Sequence, residues 1–163
     1  MRYYHDFERM YEKAVENNDT ALLAYFAKFG EGYRGVQNAC RFEASRECGF
    51  MDEYHTNKEG WCNNGELKIT KEYLFEGRTY AEIAYAELPN GRWVCGSSVF
   101  LENNGYGSLP CVFTPSYPTK NESILKEINR ITDYIKKNSK KTAYFNAIEE
   151  YRKKLYCEQI SLF

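Results

Sequence analysis

Histidine is nearly absent from this 163-residue chain, which has two, and proline is held to four. So few histidines leave little material for general acid–base work. Long apolar stretches are missing as well. The longest run, from Ala21 to Ala27, falls far short of the ~20 residues that span a bilayer. Met1 to Asp6 contain no apolar signal region, so a cytoplasmic chain without membrane contact is expected. Charge of one sign is also lacking. The formal net charge of −1 excludes a polybasic arm and a strongly acidic nucleic-acid mimic for the chain as a whole. With 43 % hydrophobic and 17 % aromatic residues, and only 11 glycines, the chain is not low-complexity and can build a core.

Six cysteines are present (Cys40, Cys48, Cys62, Cys95, Cys111 and Cys157), but no two lie within the two-to-four-residue spacing of a zinc knuckle. Without an export signal they are expected to be reduced, and Cys95, Cys111 and Cys157, which sit in apolar patterns, to be buried. Cys40, Cys48, His55 and Cys62 are the weak candidates for a zinc site, spaced eight, seven and seven residues apart. No other cofactor is expected.

The near-zero charge conceals a polarity. Residues 1–118 carry 12 basic and 17 acidic side chains, whereas residues 119–163 carry 10 basic and 6 acidic. The excess gathers at Lys136, Lys137, Lys140 and Lys141, the candidate contacts to DNA phosphate, and again at Arg152–Lys154.

The order of patterns predicts an α+β fold: N-terminal helices, an antiparallel meander of three or four strands, two C-terminal helices and a short tail. One domain over 1–157 is expected, helical over 1–48, a loop over 49–65, a sheet over 66–114 and helices over 119–157, with a tail at 158–163. Phe7, Met10, Tyr11, Ala14 and Val15 follow helical spacing. Asp19–Thr20 caps a second helix, and Val36, Cys40 and Ala44 line a third. The period then drops to two, with Tyr73 and Phe75, then Ala81, Ile83 and Tyr85, expected to face inward. Pro89–Asn90–Gly91 predicts a hairpin turn, and Asn103–Asn104–Gly105 a second turn leading to a strand near Leu109–Phe113. Pro115 and Pro118 are expected to end the sheet. Thr119–Lys120–Asn121–Glu122 reads as a capping box, followed by the stripe Ile124, Ile128, Ile131 and Ile135. Tyr144, Ile148, Tyr151 and Leu155 repeat that spacing in the last helix.

Gly30–Glu31–Gly32–Tyr33–Arg34–Gly35 matches Gly-x-Gly-x-x-Gly, but it follows a predicted helix where a dinucleotide loop needs a strand, so a tight turn between helices is expected. No catalytic set assembles: a Cys–His pair would need Cys48 or Cys62 beside His55, and Glu43–Glu47 and Glu149–Glu150 read as solvated helix faces. Fifteen tyrosines are many, yet Tyr11, Tyr73, Tyr85, Tyr144 and Tyr151 fall on core stripes.

The last five residues are Gln159–Ile160–Ser161–Leu162–Phe163. They resemble the short peptide with which bacterial DNA polymerases, mismatch-repair proteins and many phage and plasmid proteins dock on the β sliding clamp. That pattern runs Gln, aliphatic, Ser or Asp, Leu, Phe, with Ile160 standing for the commoner Leu. The resemblance implies that Leu162 and Phe163 enter a hydrophobic cleft, that Gln159 bonds a second subsite, and that Ile160 and Ser161 set the register. The body of the chain has the style of small phage and conjugative-element proteins. Three functions are therefore open: a non-enzymatic adaptor on the sliding clamp acting in DNA replication, repair or maintenance, with the body touching DNA backbone or a replication protein; a phage-type inhibitor that occludes a host defence nuclease or replisome component; and a small zinc-containing enzyme or zinc-stabilised domain.

Overall fold

The computed structural model describes residues 2–50, 60 and 67–160, and side chains at 4–50, 60 and 67–157. Contacts concentrate in two compact units, Met1–Glu66 and Leu67–Phe163, where the sequence reading has one domain.

The first unit contains three helices, α1 (Arg2–Glu16), α2 (Thr20–Ala27) and α3 (Gly32–Glu47). Asn18 takes a positive φ of 52° and ends α1; the Asp19 carboxylate then accepts the Leu22 amide at 3.0 Å and starts α2. The core holds Phe26, Phe29, Val36 and Ala39, with Phe7, Tyr11, Leu22 and Tyr25 packed on it. The expected α3 stripe of Val36, Cys40 and Ala44 is buried. The α1 stripe is narrower than predicted, because Met10 and Val15 are exposed.

The second unit joins an antiparallel sheet to two helices: β1 (Thr70–Phe75), β2 (Tyr80–Glu87), β3 (Trp93–Leu101), β4 (Asn104–Ser108), β5 (Ser116–Tyr117), α4 (Lys120–Asn138) and α5 (Thr142–Ile160). The α+β class and the meander are as expected; the strands run in the order β1-β2-β3-β4, with β5 also on β3. The Pro89–Gly91 turn closes through the Gly91 amide on the Leu88 carbonyl at 2.8 Å, with Gly91 at φ 77°.

Three expectations about the sheet are corrected. No strand forms over 109–113; β4 begins directly after a turn at Glu102–Asn103, with Glu102 at φ 43°, and pairs with β3 from Leu101↔Asn104 to Ser97↔Ser108. The sheet also continues past Pro115, where β5 pairs with Trp93 and Val94. On β1 a register shift between Tyr73 and Phe75 turns Leu74 inward and leaves Tyr73 exposed, so Tyr73 is not a core residue.

The Thr119 hydroxyl caps α4 by accepting the Glu122 amide at 3.2 Å. Behind it Ile124, Ile128, Ile131 and Ile135 are each 0 % exposed and pack with Ile83, Val99, Ile148 and Leu155. Burial of each such side chain stabilises by about 1.5–3 kcal/mol. One face of the sheet is thus covered by α4 and α5.

Candidate functional site

Lys136 and Lys137 occupy the last turn of α4, and Lys140 and Lys141 the connection to α5. All four are exposed. Lys141 forms an ion pair with Glu102, whose turn joins β3 to β4, while the other three have no partner among the described residues. The first turn of α5, just after this connection, meets the β1–β2 turn, because the Tyr144 hydroxyl donates to Thr79 Oγ1 at 3.2 Å. The structure therefore keeps three of the four candidate phosphate contacts available and neutralises one.

The backbone of α5 is helical through Ile160, three residues into the segment the sequence reading gives to the tail. Leu155 is buried, but Tyr156 and Cys157 beyond it are exposed. The side chains of Gln159 and Ile160, and all of Ser161, Leu162 and Phe163, lie outside the described residues.

His55 and Cys62, half of the weak zinc candidates, also lie outside the described residues. Cys40 and Cys48 are buried, and burial pushes the Cys40 pKa up to about 11. No group of three potential ligands gathers among the described residues. Cys95 is buried as expected; Cys111 and Cys157 are exposed, a correction, since Cys111 lies in the connection between β4 and β5 and Cys157 falls on the outer side of α5. Gly30–Gly35 connects α2 to α3 with no strand before it, as a tight turn should.

Sequence reasoning missed a second polar site in the α4–sheet layer. A cavity of about 370 Å³ is lined by Cys95, Ser123, Lys126, Glu127 and Arg130, with Tyr117 at its side. Glu127 is 8 % exposed, and its Oε1 receives the Ser97 hydroxyl at 2.6 Å and Arg130 Nη2 at 3.0 Å. The Tyr106 hydroxyl is 2.9 Å from Ser97 Oγ, and the Arg130 guanidinium lies over the Tyr106 ring at 4.9 Å. A buried carboxylate needs such donors, since an unpaired one costs several kcal/mol. Burial, reinforced by Glu127, raises the Cys95 thiol well above its ordinary value, which keeps it protonated. Ser97 is 1 % exposed. The site as arranged holds polar contacts and presents no activated nucleophile. The available signal was Glu127 itself, an acid lying on the isoleucine stripe between Ile124 and Ile131.

The chain has no match among protein-family models, curated proteins or solved structures. No described helix is long and apolar enough to cross a membrane.

A second carboxylate ties α5 to the sheet. Glu72 Oε1 accepts the Tyr85 hydroxyl at 2.6 Å and Oε2 the Tyr151 hydroxyl at 2.8 Å, with Lys154 at 3.6 Å. Burial alone would raise its pKa, but the two hydroxyl donors and the Lys154 and Lys120 charges outweigh that and hold it below the ordinary 4.5. A depressed acid stabilises the fold fully above its unfolded pKa and loses that contribution as the pH falls through the folded value. The difference in urea midpoint between wild type and Glu72→Gln is therefore expected to be largest at neutral pH and to shrink below about pH 4.5. A difference that stays constant from pH 7 to pH 3 would refute the assignment.

Proposed function

We propose that this chain is a non-enzymatic adaptor of a bacterial mobile element that docks on the DNA sliding clamp through Gln159–Phe163 and acts in DNA replication, repair or maintenance. The observation that carries the reading is the pentapeptide Gln-Ile-Ser-Leu-Phe, matched at all five positions of the clamp-docking pattern. Average residue usage puts a chance match at one position on the order of one in 10⁵. Tyr156 and Cys157, the last described side chains before the peptide, are exposed. An extended docked peptide requires the last turn of α5, which runs to Ile160, to open. Terminal turns open at close to zero cost, so this takes little from the binding energy. Leu162 and Phe163 then bury their apolar area in a cleft while Gln159 finds its polar partner. Lys136, Lys137 and Lys140 lower the electrostatic cost of approaching DNA threaded through the clamp, an effect that weakens with salt.

Titration of the full chain against a purified bacterial clamp tests the reading. A Kd of about 10 μM, or about −7 kcal/mol, is expected. Deletion of 159–163, or the pair Leu162→Ala and Phe163→Ala, should weaken it at least about 30-fold, a loss of about 2 kcal/mol. Absence of binding at about 100 μM, or binding unchanged by the deletion, overturns it.

A further inference from the structure

The sheet face opposite α4 and α5 carries an aromatic strip at one end. Tyr73 on β1, Tyr80 on β2 and Phe100 on β3 form a continuous cross-strand ladder: Tyr73 and Tyr80 meet edge-on with ring centroids 6.4 Å apart, and Tyr80 and Phe100 stack at 6.2 Å with 23° between their planes. The outer rings are open to solvent, Tyr73 at 51 % and Phe100 at 41 % exposure. Farther along this face Ala84, Ala86 and Val94 are buried, so the exposed rings are confined to the end near the β1–β2 and β3–β4 turns. The neighbouring strand β4 adds no side chain to cover them. Its Gly105 and Gly107 face the same way, and a Cβ on Gly105 would come within 3.0 Å of the Phe100 ring.

The charge at this end is positive. Arg78 in the β1–β2 turn and Lys140 in the α4–α5 connection are exposed and have no partner among the described residues, and Lys137 lies in the last turn of α4. The Tyr144–Thr79 hydrogen bond and the Lys141–Glu102 ion pair hold these three turns together. Of the acids there, Glu102 is paired with Lys141 and Glu82 with Lys71 at 3.0 Å, while Glu76 has no partner among the described residues.

The geometry points to this face as a binding site for single-stranded nucleic acid, with bases stacking on Tyr73 and Phe100 and the backbone running past Arg78 and Lys140. Exposed aromatic faces on an antiparallel sheet accept any base, because every base has a π-face, and cations at the rim track the phosphates. A duplex keeps its bases stacked internally and has nothing to lay on the rings. This site is separate from the clamp peptide, and its test needs no clamp, so either reading can fail alone.

Fluorescence anisotropy of a labelled 20-nucleotide oligo-dT with the full chain, at about 50 mM salt, provides the measurement. Binding below about 100 μM is expected, with the duplex of the same length at least tenfold weaker. The double variant Tyr73→Ala, Phe100→Ala should weaken oligo-dT at least tenfold, whereas Phe100→Trp should retain it. Arg78→Glu with Lys140→Glu, both far from the core, should weaken binding and flatten its salt dependence. Circular dichroism identifies an aromatic double variant that has not folded, in which case Phe100→Ser alone replaces it. The inference is overturned by no oligo-dT binding, by equal affinity for the duplex, or by a folded aromatic variant that binds like wild type while the charge reversal weakens binding, which would leave electrostatics only.

Discussion

Replacing Ile128 with alanine is expected to destabilise the second unit by about 3 kcal/mol, within the range found when buried isoleucines are truncated. Ile128 is 0 % exposed and sits at the middle of the four-isoleucine stripe of α4, between the sheet and α5. Truncation removes its transfer free energy and leaves a cavity, and the neighbours Ile124 and Ile131 are held by the same helix and cannot move in to fill it. For a unit of this size the loss corresponds to a fall in melting temperature of roughly 15 °C. Lys126→Ala, two residues away and exposed, should change stability by less than about 0.5 kcal/mol. Urea unfolding of both variants makes the comparison. A loss below about 1 kcal/mol for Ile128→Ala would show that α4 does not anchor this core.

Gly35→Ala is expected to reverse the usual effect of removing glycine from a helix. In an exposed helix interior the change stabilises by about 1 kcal/mol through backbone entropy and propensity. Gly35 is buried near the start of α3, and a Cβ built there would lie 2.4 Å from the Gly30 carbonyl oxygen and 2.6 Å from that of Phe26. Both obstacles are backbone, so neither can rotate away; the end of α2 must move off α3 and strip contacts from Phe26 and Phe29 in the core. Overpacking of this kind costs 1–3 kcal/mol or more and outweighs the propensity gain. The net expectation is a loss of about 2 kcal/mol confined to the first unit, visible as faster amide exchange in α2 and α3 with α4 unchanged. A stabilised variant would contradict the close approach. The third glycine of the Gly-x-Gly-x-x-Gly string therefore serves helix packing.

Local chemistry was readable where a side chain acts on its own neighbourhood. Asp19 and Thr119 cap the helices they precede, Gly91 closes the hairpin turn, and the isoleucine spacing selects the buried face of α4. Strand β4 was not readable, because Asn-Gly-Tyr-Gly-Ser has no apolar alternation and forms a strand only by pairing with β3. The phase of β1 was lost for a similar reason. A one-residue irregularity between Tyr73 and Phe75 exchanges the two faces, and nothing in the local composition marks it. Of the candidate sites, the four lysines were legible, but the pairing of Lys141 with Glu102, 39 positions earlier in the chain, was not.

The scarcity of histidine and the balanced charge follow from composition, and the absence of long apolar runs, the class of the fold, its caps and its main core stripe from the order of residues along the chain. These depend on residue type and on neighbours within a turn or two. Which tyrosines are buried and which carboxylates are neutralised was decided only in three dimensions. Tyr85 and Tyr151 turn inward to share Glu72, while Tyr73 is left in solvent beside Tyr80. Such choices follow from strand register and from partners up to 79 positions apart, and a burial pattern set by distant partners has no local signature.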